Sequence, residues 1–243
     1  MTSYCDKSKQ NNQTWFATDN GPETNCPPDG ICKRAKTDPQ RPKEGPGSAG
    51  PLRGRKRDIY EGGHRVPGIV SYPSEVKNAN AISWETVTTM DFLPTIMEVL
   101  SVDRLREQQT WAMDGRSILP LLRNATSFKW RDTDEGHRSL GMGNHDPKLN
   151  VAHGWGYRFG RWKYVEGSVS CTISDCRRPQ LFDLETDIGE RQDLSVEYPD
   201  ILVDLQLKFR EWHQSVMKSR REESKCQKTG TLMMPPSMIS AVE

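Results

Sequence analysis

Trp15-Phe16-Ala17-Thr18-Asp19-Asn20-Gly21-Pro22-Glu23 and, further on, Gly50-Pro51-Leu52-Arg53-Gly54-Arg55-Lys56-Arg57-Asp58-Ile59-Tyr60-Glu61-Gly62-Gly63-His64-Arg65-Val66-Pro67-Gly68 decide how this chain is read. The first stretch runs apolar residues into Asp19 and Asn20. That order places a carboxylate and an amide oxygen at the carboxyl end of a strand, where open α/β sheets hold their ligands. Both are hard donors of the kind calcium and magnesium take. Taken alone, Asp-Asn-Gly reads first as a turn. The second stretch sets Lys56 in a glycine-punctuated loop that leads into apolar residues 66–72. An ammonium there can donate to negatively charged oxygens, and Gly54, Gly62 and Gly63 let the backbone come close. In isolation the competing reading is an ordinary surface lysine.

The 243 residues suffice for one large domain, or a domain and a small satellite, with a sizeable core. With 34% hydrophobic and 28% charged residues, 16 Pro and 19 Gly, the composition is that of a loop-rich globular protein, not a coiled coil. A mean hydropathy of −0.79 agrees. No run of about 18 apolar residues is present, so no membrane span is expected. The net charge of +1 gives no argument for nucleic acid. Locally, Lys33, Arg34, Lys36, Arg41, Lys43, Arg53, Arg55, Lys56 and Arg57 face only Asp38 and Glu44. Solvated loop charge is the first reading and an anionic ligand the second; without interleaved aromatics, nucleic acid is excluded as a partner.

Cysteines stand at 5, 26, 32, 171, 176 and 226. Cys26/Cys32 and Cys171/Cys176 are spaced like short disulfide loops, and no C-x-x-C suggests zinc. The sequons at Asn12 and Asn124 fit a glycoprotein on a secretory route. The N-terminus has no apolar stretch like a signal peptide.

Along the chain, residues 1–13 are expected to be disordered, and 14–18 to form a short buried strand. Residues 22–50 read as a long loop of the kind that carries function, and 66–72 as a second strand with Pro67 at its start or edge. Thr88 and Asp91 cap a predicted helix that tolerates Pro94 in its first turn and packs through Phe92, Ile96, Val99 and Leu100. A turn at 114–117 precedes a short apolar element at 118–122, and 123–149 reads as polar and irregular. From Gly154 the pattern becomes short alternating strands: Trp155, Tyr157 and Phe159, then Trp162, Tyr164 and Val165, then 180–184. A helix over 198–220 presents Ile201, Leu205, Phe209, Trp212 and Val216 to that sheet, and 225–243 is expected to be disordered.

In this order the motifs resemble the sulfatases of the alkaline phosphatase superfamily. The matching residues are Thr18-Asp19-Asn20-Gly21-Pro22, Gly50-Pro51-Leu52-Arg53-Gly54-Arg55-Lys56 and Glu61-Gly62-Gly63-His64-Arg65-Val66-Pro67. Met90-Asp91-Phe92-Leu93-Pro94-Thr95, Asp114-Gly115-Arg116-Ser117 and Leu181-Phe182-Asp183-Leu184-Glu185-Thr186-Asp187 resemble later landmarks of the family, so the resemblance covers residues 14 to about 220. It implies an α/β fold: the C-terminal portion of an alkaline-phosphatase-like α/β/α catalytic domain over 14–125, then a small α+β subdomain over 126–224, in which an antiparallel sheet packs with a C-terminal helix. It implies Asp19 and Asn20 as calcium ligands, and Lys56 as the catalytic, substrate-binding lysine that holds an oxygen of an aryl or carbohydrate sulfate ester. A cation and a lysine would stabilise the charge a sulfuryl group spreads over its oxygens.

The family's formylglycine arises from a Cys in Cys/Ser-x-Pro-x-Arg near the start of the domain, and that motif is absent here. Cys26-Pro27-Pro28-Asp29-Gly30 has the proline but Gly30 in place of arginine. None of His64, His137, His145, His153 and His213 maps onto the family's catalytic histidines; structural or solvated roles are expected for all five. Arg53 and Arg65 are expected to anchor loops or pair in salt bridges. The chain therefore reads as the C-terminal half of a sulfatase, inactive alone, whose parent protein is secreted, lysosomal or endomembrane. The alternatives are a noncatalytic polypeptide that binds sulfated glycans or a partner, and another hydrolase of the superfamily.

Overall fold

The computed structural model describes residues 13–22, 48–78, 80–102, 113–130, 137–146, 151–167 and 178–229, of which 144–146, 151–153 and 222–229 by backbone only. Cys5, Cys26, Cys32, Cys171, Cys176, Asn12, basic residues 33–43 and the expected tail beyond 229 lie outside the described residues. The elements are β1 (Thr14–Ala17), α1 (Glu61–His64), β2 (Gly68–Ser71), a 3-10 turn (Thr89–Asp91), α2 (Phe92–Val99), α3 (Leu119–Arg123), β3 (Ser139–Asp146), β4 (Val151–Phe159), β5 (Trp162–Glu166), β6 (Gln180–Asp183) and α4 (Pro199–Thr229). β1 and β2 pair as a two-stranded sheet, and β3-β4-β5-β6 form an antiparallel meander. Among the described residues, no helix is long and apolar enough to cross a membrane. The chain divides into two compact units: one of residues 1–15, 70–136 and 217–243, the other of 16–69 and 137–216.

In the first unit Tyr72, Ile118, Leu119, Leu121, Leu122 and Trp130 form the core, with Trp15, Val70, Val76, Val99 and Phe128 packed on it. Thr88 and Asp91 make the expected capping box, the Thr88 N–H donating to Asp91 Oδ2 at 2.7 Å. Asp91 Oδ1 accepts the Arg116 N–H at 2.9 Å, while Thr95 Oγ1 donates to the Asp91 carbonyl at 2.6 Å and accepts the Ile118 N–H at 3.0 Å. Gly115 is required where this segment crosses the 3-10 turn, because a Cβ there would lie 1.9 Å from the Met90 carbonyl oxygen. Thr95 is thus the fully buried residue of α2, and Ile96 and Leu100 are exposed instead of packed. β1, expected to be buried, is also mostly exposed, since Phe16 and Ala17 face outward.

In the second unit the meander is covered on both faces. Tyr157, Tyr164 and Leu181, opposite one another in register, pack against Leu205 with Ile201, Phe209 and Trp212 of α4. The other face presents Val165 and Phe182 to Ile59 and Tyr60 just before α1. β3 lies inside the stretch expected to be irregular. Its Ser-Leu-Gly-Met-Gly sequence has too few apolar side chains to show alternation, and Gly141 leaves room for the Trp212 ring of α4. α4 extends to Thr229, past the expected end, because polar Arg220, Arg221, Glu222 and Glu223 sustain a helix by propensity without an apolar face.

Lys163 of β5 belongs to the Val165 face and is fully buried. Its Nζ lies 2.9 Å from Glu61 Oε1 and 2.7 Å from Glu190 Oε1, and both carboxylates are buried too. Glu190 Oε2 accepts the Glu61 N–H at 2.6 Å, so three separate segments meet at one ammonium. Removing one partner of a buried ion pair leaves an uncompensated charge, at a cost of about 3–5 kcal/mol. Lys163→Met is therefore expected to lower the urea midpoint by that equivalent, with Glu190→Gln added to it restoring part of the loss. Unfolding followed by tryptophan fluorescence at low micromolar protein measures this, and an unchanged midpoint for Lys163→Met would contradict it.

Candidate active site

The Asp19-Asn20 turn and the Lys56 loop lie side by side in the second unit, joined by backbone. The Gly21 N–H donates to the Gly63 carbonyl at 2.9 Å, and the Lys56 N–H donates to the Pro22 carbonyl at 2.8 Å. The approach is so close that a Cβ on Gly21 would sit 1.8 Å from the Gly62 carbonyl oxygen, so no side chain fits there. The Gly62 N–H in turn donates to the Arg53 carbonyl at 2.7 Å. Glycine is needed at 62 and 63 as well, where a Cβ would lie 2.5 Å from the Arg53 carbonyl oxygen and 2.2 Å from that of Asp58, so turn and loop pack backbone against backbone.

Lys56 sits in a tight loop closed by buried Asp58, whose Oδ2 accepts the Arg55 N–H at 2.8 Å while its own N–H donates to the Arg55 carbonyl at 2.8 Å. Arg57 follows in the left-handed region at φ 78°, a conformation that costs a non-glycine residue about 1 kcal/mol and persists only where surrounding contacts impose it. Lys56 and Asn20 are half-buried and Asp19 is exposed. Among the described residues, no three His, Cys, Asp or Glu side chains converge to hold a metal ion. Asp19 and Asn20 offer two hard oxygen donors, which fits part of a calcium shell of six to eight oxygens and not the whole of it.

Arg53 is a loop anchor. Its Nη1 donates to the Glu190 carbonyl at 3.0 Å, and its guanidinium lies 3.9 Å from the centroid of the Tyr60 ring. Tyr60 donates its hydroxyl to Gln180 Oε1 at 2.6 Å, fastening the loop to β6. Arg65 pairs with Glu61 Oε2 at 3.2 Å. His64 Nε2 stands 3.0 Å from the Ile59 carbonyl and 3.2 Å from Lys163 Nζ, a structural position. His137 packs edge-on against Phe159, and His213 against Trp155.

Lys163 and Glu190 are the residues of this region that the sequence did not single out. The available signal was slight: Lys163 shares its face of β5 with Val165 and stands between Trp162 and Tyr164. Burial pushes Glu61 up, but the ammonium of Lys163, with His64 and Arg158 beyond it, outweighs this and holds its carboxyl well below the usual range. Glu190 goes the other way, raised by burial and by the neighbouring Glu61 against the pull of Lys163. His64 is pushed down to about 4, first by burial and then by Lys163.

Two family models match the chain: the one described as N-sulphoglucosamine sulphohydrolase, C-terminal, over residues 54–215, and the one described as Sulfatase, over 4–102. Arylsulfatase G of Canis lupus familiaris is 28% identical over 220 residues, covering 80% of this chain and 35% of its own length. A sulfatase of Formosa agariphila is 30% identical over 182 residues, covering 69% of this chain and 30% of its own. The chain thus spans about a third of the length of the curated relatives it matches. Among solved structures, one from a Bacteroides thetaiotaomicron locus for glycosaminoglycan metabolism superposes with a TM-score of 0.55 at 24% identity, covering 86% of this chain and 39% of that one. Ps i-CgsB in complex with k-i-k-neocarrahexaose gives 0.58 at 22%, covering 85% and 37%. These likenesses show the fold.

The matched region contains the Glu61, His64, Lys163 and Glu190 cluster, whose charges have a signature in solution. A histidine held neutral in the fold takes no proton where the unfolded chain does, so stability contributed by neutral His64 is fully present above its ordinary value of 6.5 and falls as pH drops toward about 4. His64→Gln is expected to flatten the decline of the urea midpoint between about pH 6.5 and pH 5, above the ordinary carboxylate range. A decline of equal slope in the variant would refute the assignment. Matched by a sulfatase C-terminal model from Gly54 to Ser215, and by the Sulfatase model over the turn and loop that precede it, the chain belongs to the sulfatase family of the alkaline phosphatase superfamily.

Proposed function

We propose that the chain supplies part of the active site of a sulfuric ester hydrolase, with Asp19 and Asn20 as oxygen ligands of calcium and Lys56 as the ammonium that holds a sulfate oxygen. The observation that carries this reading is the pair of backbone hydrogen bonds, Gly21 to Gly63 and Lys56 to Pro22, which fasten the ligand-bearing turn to the lysine-bearing loop. Relatives named arylsulfatase and steryl-sulfatase support a sulfate ester as substrate.

Calcium, when bound, would supply positive charge to the sulfate oxygens. The chain's own part is to orient. The Asp58-closed loop fixes the backbone of Lys56, and the Gly21 contact fixes the backbone that carries Asp19 and Asn20. Holding such groups in place before reaction is where electrostatic stabilisation of a transition state comes from. The nucleophile motif does not occur in these 243 residues, and we read the chain as unable to turn over a sulfate ester without the residues that carry it.

Ligand-dependent stability tests the reading without requiring turnover. A ligand at ten times its Kd stabilises the folded state by about 1.4 kcal/mol. Millimolar calcium is expected to raise the urea midpoint of the chain but not of Asp19→Ala/Asn20→Ala, and sulfate is expected to raise it but not that of Lys56→Met. A calcium shift that survives the double substitution would remove Asp19 and Asn20 as ligands, and a sulfate shift that survives Lys56→Met would remove the lysine.

A further inference from the structure

Two stretches of the second unit, one just before Lys56 and one in the turn after β6, wall a cleft of about 460 Å³. Pro51, Leu52 and Arg53 line it from the first, and Gly189, Glu190 and Arg191 from the second. That volume lies within the range of small-molecule sites. Among the described residues, neither arginine of the cleft has a carboxylate partner. The acids of the same turn are engaged elsewhere. Glu190 is fully buried, with Oε1 2.7 Å from Lys163 Nζ and Oε2 accepting the Glu61 N–H. Asp187 Oδ2 accepts the backbone N–H groups of Arg191 and Gln192 at 2.6 Å and 2.8 Å. The walls also hold the two charges in place. Arg53 donates to the Glu190 carbonyl and stacks on Tyr60, which uses one donor of its guanidinium fork. Glu190 makes these contacts from a left-handed backbone at φ 51°, a conformation that gathers at ligand sites. Gly189 is pinched between the Pro51 carbonyl oxygen and Arg191 Nε, each 3.1 Å from where a Cβ would stand. One solvated arginine is ordinary. Two in one concavity, with the local carboxylates turned away, leave a positive cleft that has no counter-ion of its own among the described residues.

We propose that the cleft between Arg53 and Arg191 is a second anion subsite, which takes a sulfate or carboxylate group on the same molecule whose sulfate ester is held by Lys56. The inference rests on the sulfuric ester hydrolase reading and deepens it: the substrate is a polyanionic glycan with charged groups on neighbouring sugars, not an aryl or steryl sulfate with one. Chemistry selects the group, because guanidinium forks grip the paired oxygens of sulfates and carboxylates. Reach selects the molecule. Arg53 precedes Lys56 by three residues, so at most about 11 Å of extended backbone separates them. Two linked sugars cover such a span, whereas a molecule with a single anionic group occupies one site or the other. Tethering makes the second contact count, since binding of the second group becomes intramolecular. Untethered sulfate gains nothing from it.

Titration calorimetry of the full chain tests this with two probes: a heparin tetrasaccharide, which bears sulfates and carboxylates, and phenyl sulfate, which bears one anion. The tetrasaccharide is expected to bind at least tenfold more tightly. Arg191→Ala is expected to remove most of that tenfold while phenyl sulfate binding and the urea midpoint stay unchanged, since the side chain is exposed and has no partner among the described residues. Lys218→Ala removes an exposed charge outside the cleft and is expected to change neither affinity. Equal losses in Arg191→Ala and Lys218→Ala would mean general attraction of a polyanion, and no loss in Arg191→Ala would mean no subsite; either overturns the proposal. So does absence of tetrasaccharide binding, and so does a midpoint shift by inorganic sulfate that Arg191→Ala abolishes, since the cleft would then serve a lone ion. Lys56→Met separates this proposal from the one it rests on, and is expected to weaken both probes. If it spares both while Arg191→Ala still weakens the tetrasaccharide, the sulfate role of Lys56 fails and the cleft stands as an anion site. If it weakens both while Arg191→Ala weakens neither, only the cleft fails.

Discussion

One ammonium sealed from water, that of Lys163, holds two carboxylates from distant parts of the chain, and the candidate site is built outward from that contact. A lone buried charge is prohibitive, so the three groups are stable only together. Together they leave little choice of arrangement. β5 brings the lysine, the turn of α1 brings Glu61, and the loop after β6 brings Glu190, whose second oxygen takes the Glu61 amide. Apolar contacts between Ile59, Tyr60, Val165 and Phe182 would tolerate sliding, whereas these polar distances do not. The small sheet therefore acts as the foundation of a loop that lies far from it in sequence.

From Glu61 the constraint passes through backbone. Gly62 is tied to Arg53, Gly63 to Gly21, and Pro22 to Lys56, so turn and loop share one hydrogen-bonded frame. Side chains would have been a poorer means of joining them. Backbone bonds fix the two segments whatever their side chains do, the Gly21 N–H donating to the Gly63 carbonyl at 2.9 Å and the Lys56 N–H to the Pro22 carbonyl at 2.8 Å. The same frame explains Arg57 in a left-handed conformation: its neighbours on both sides are fixed by Asp58 and by Pro22, and the residue between absorbs the mismatch.

Much of this was legible in the sequence where chemistry is local. The Thr88/Asp91 cap, the aromatic alternation of β4 and β5 and the apolar face of α4 all depend on spacing within one element, and the structure contains them. Lys163 and Glu190 were not legible, because a buried charge is defined by partners more than a hundred residues away or in another loop, and no periodicity marks it. β3 escaped because glycines, which make room for Trp212 and Trp155, erase the alternation that announces a strand. α2 was half legible. Apolar residues on both faces gave period-matching positions inside and out, so Phe92 and Val99 were placed correctly and Ile96 and Leu100 were not. The residue that decides the orientation, Thr95, is polar and escapes an apolar count altogether.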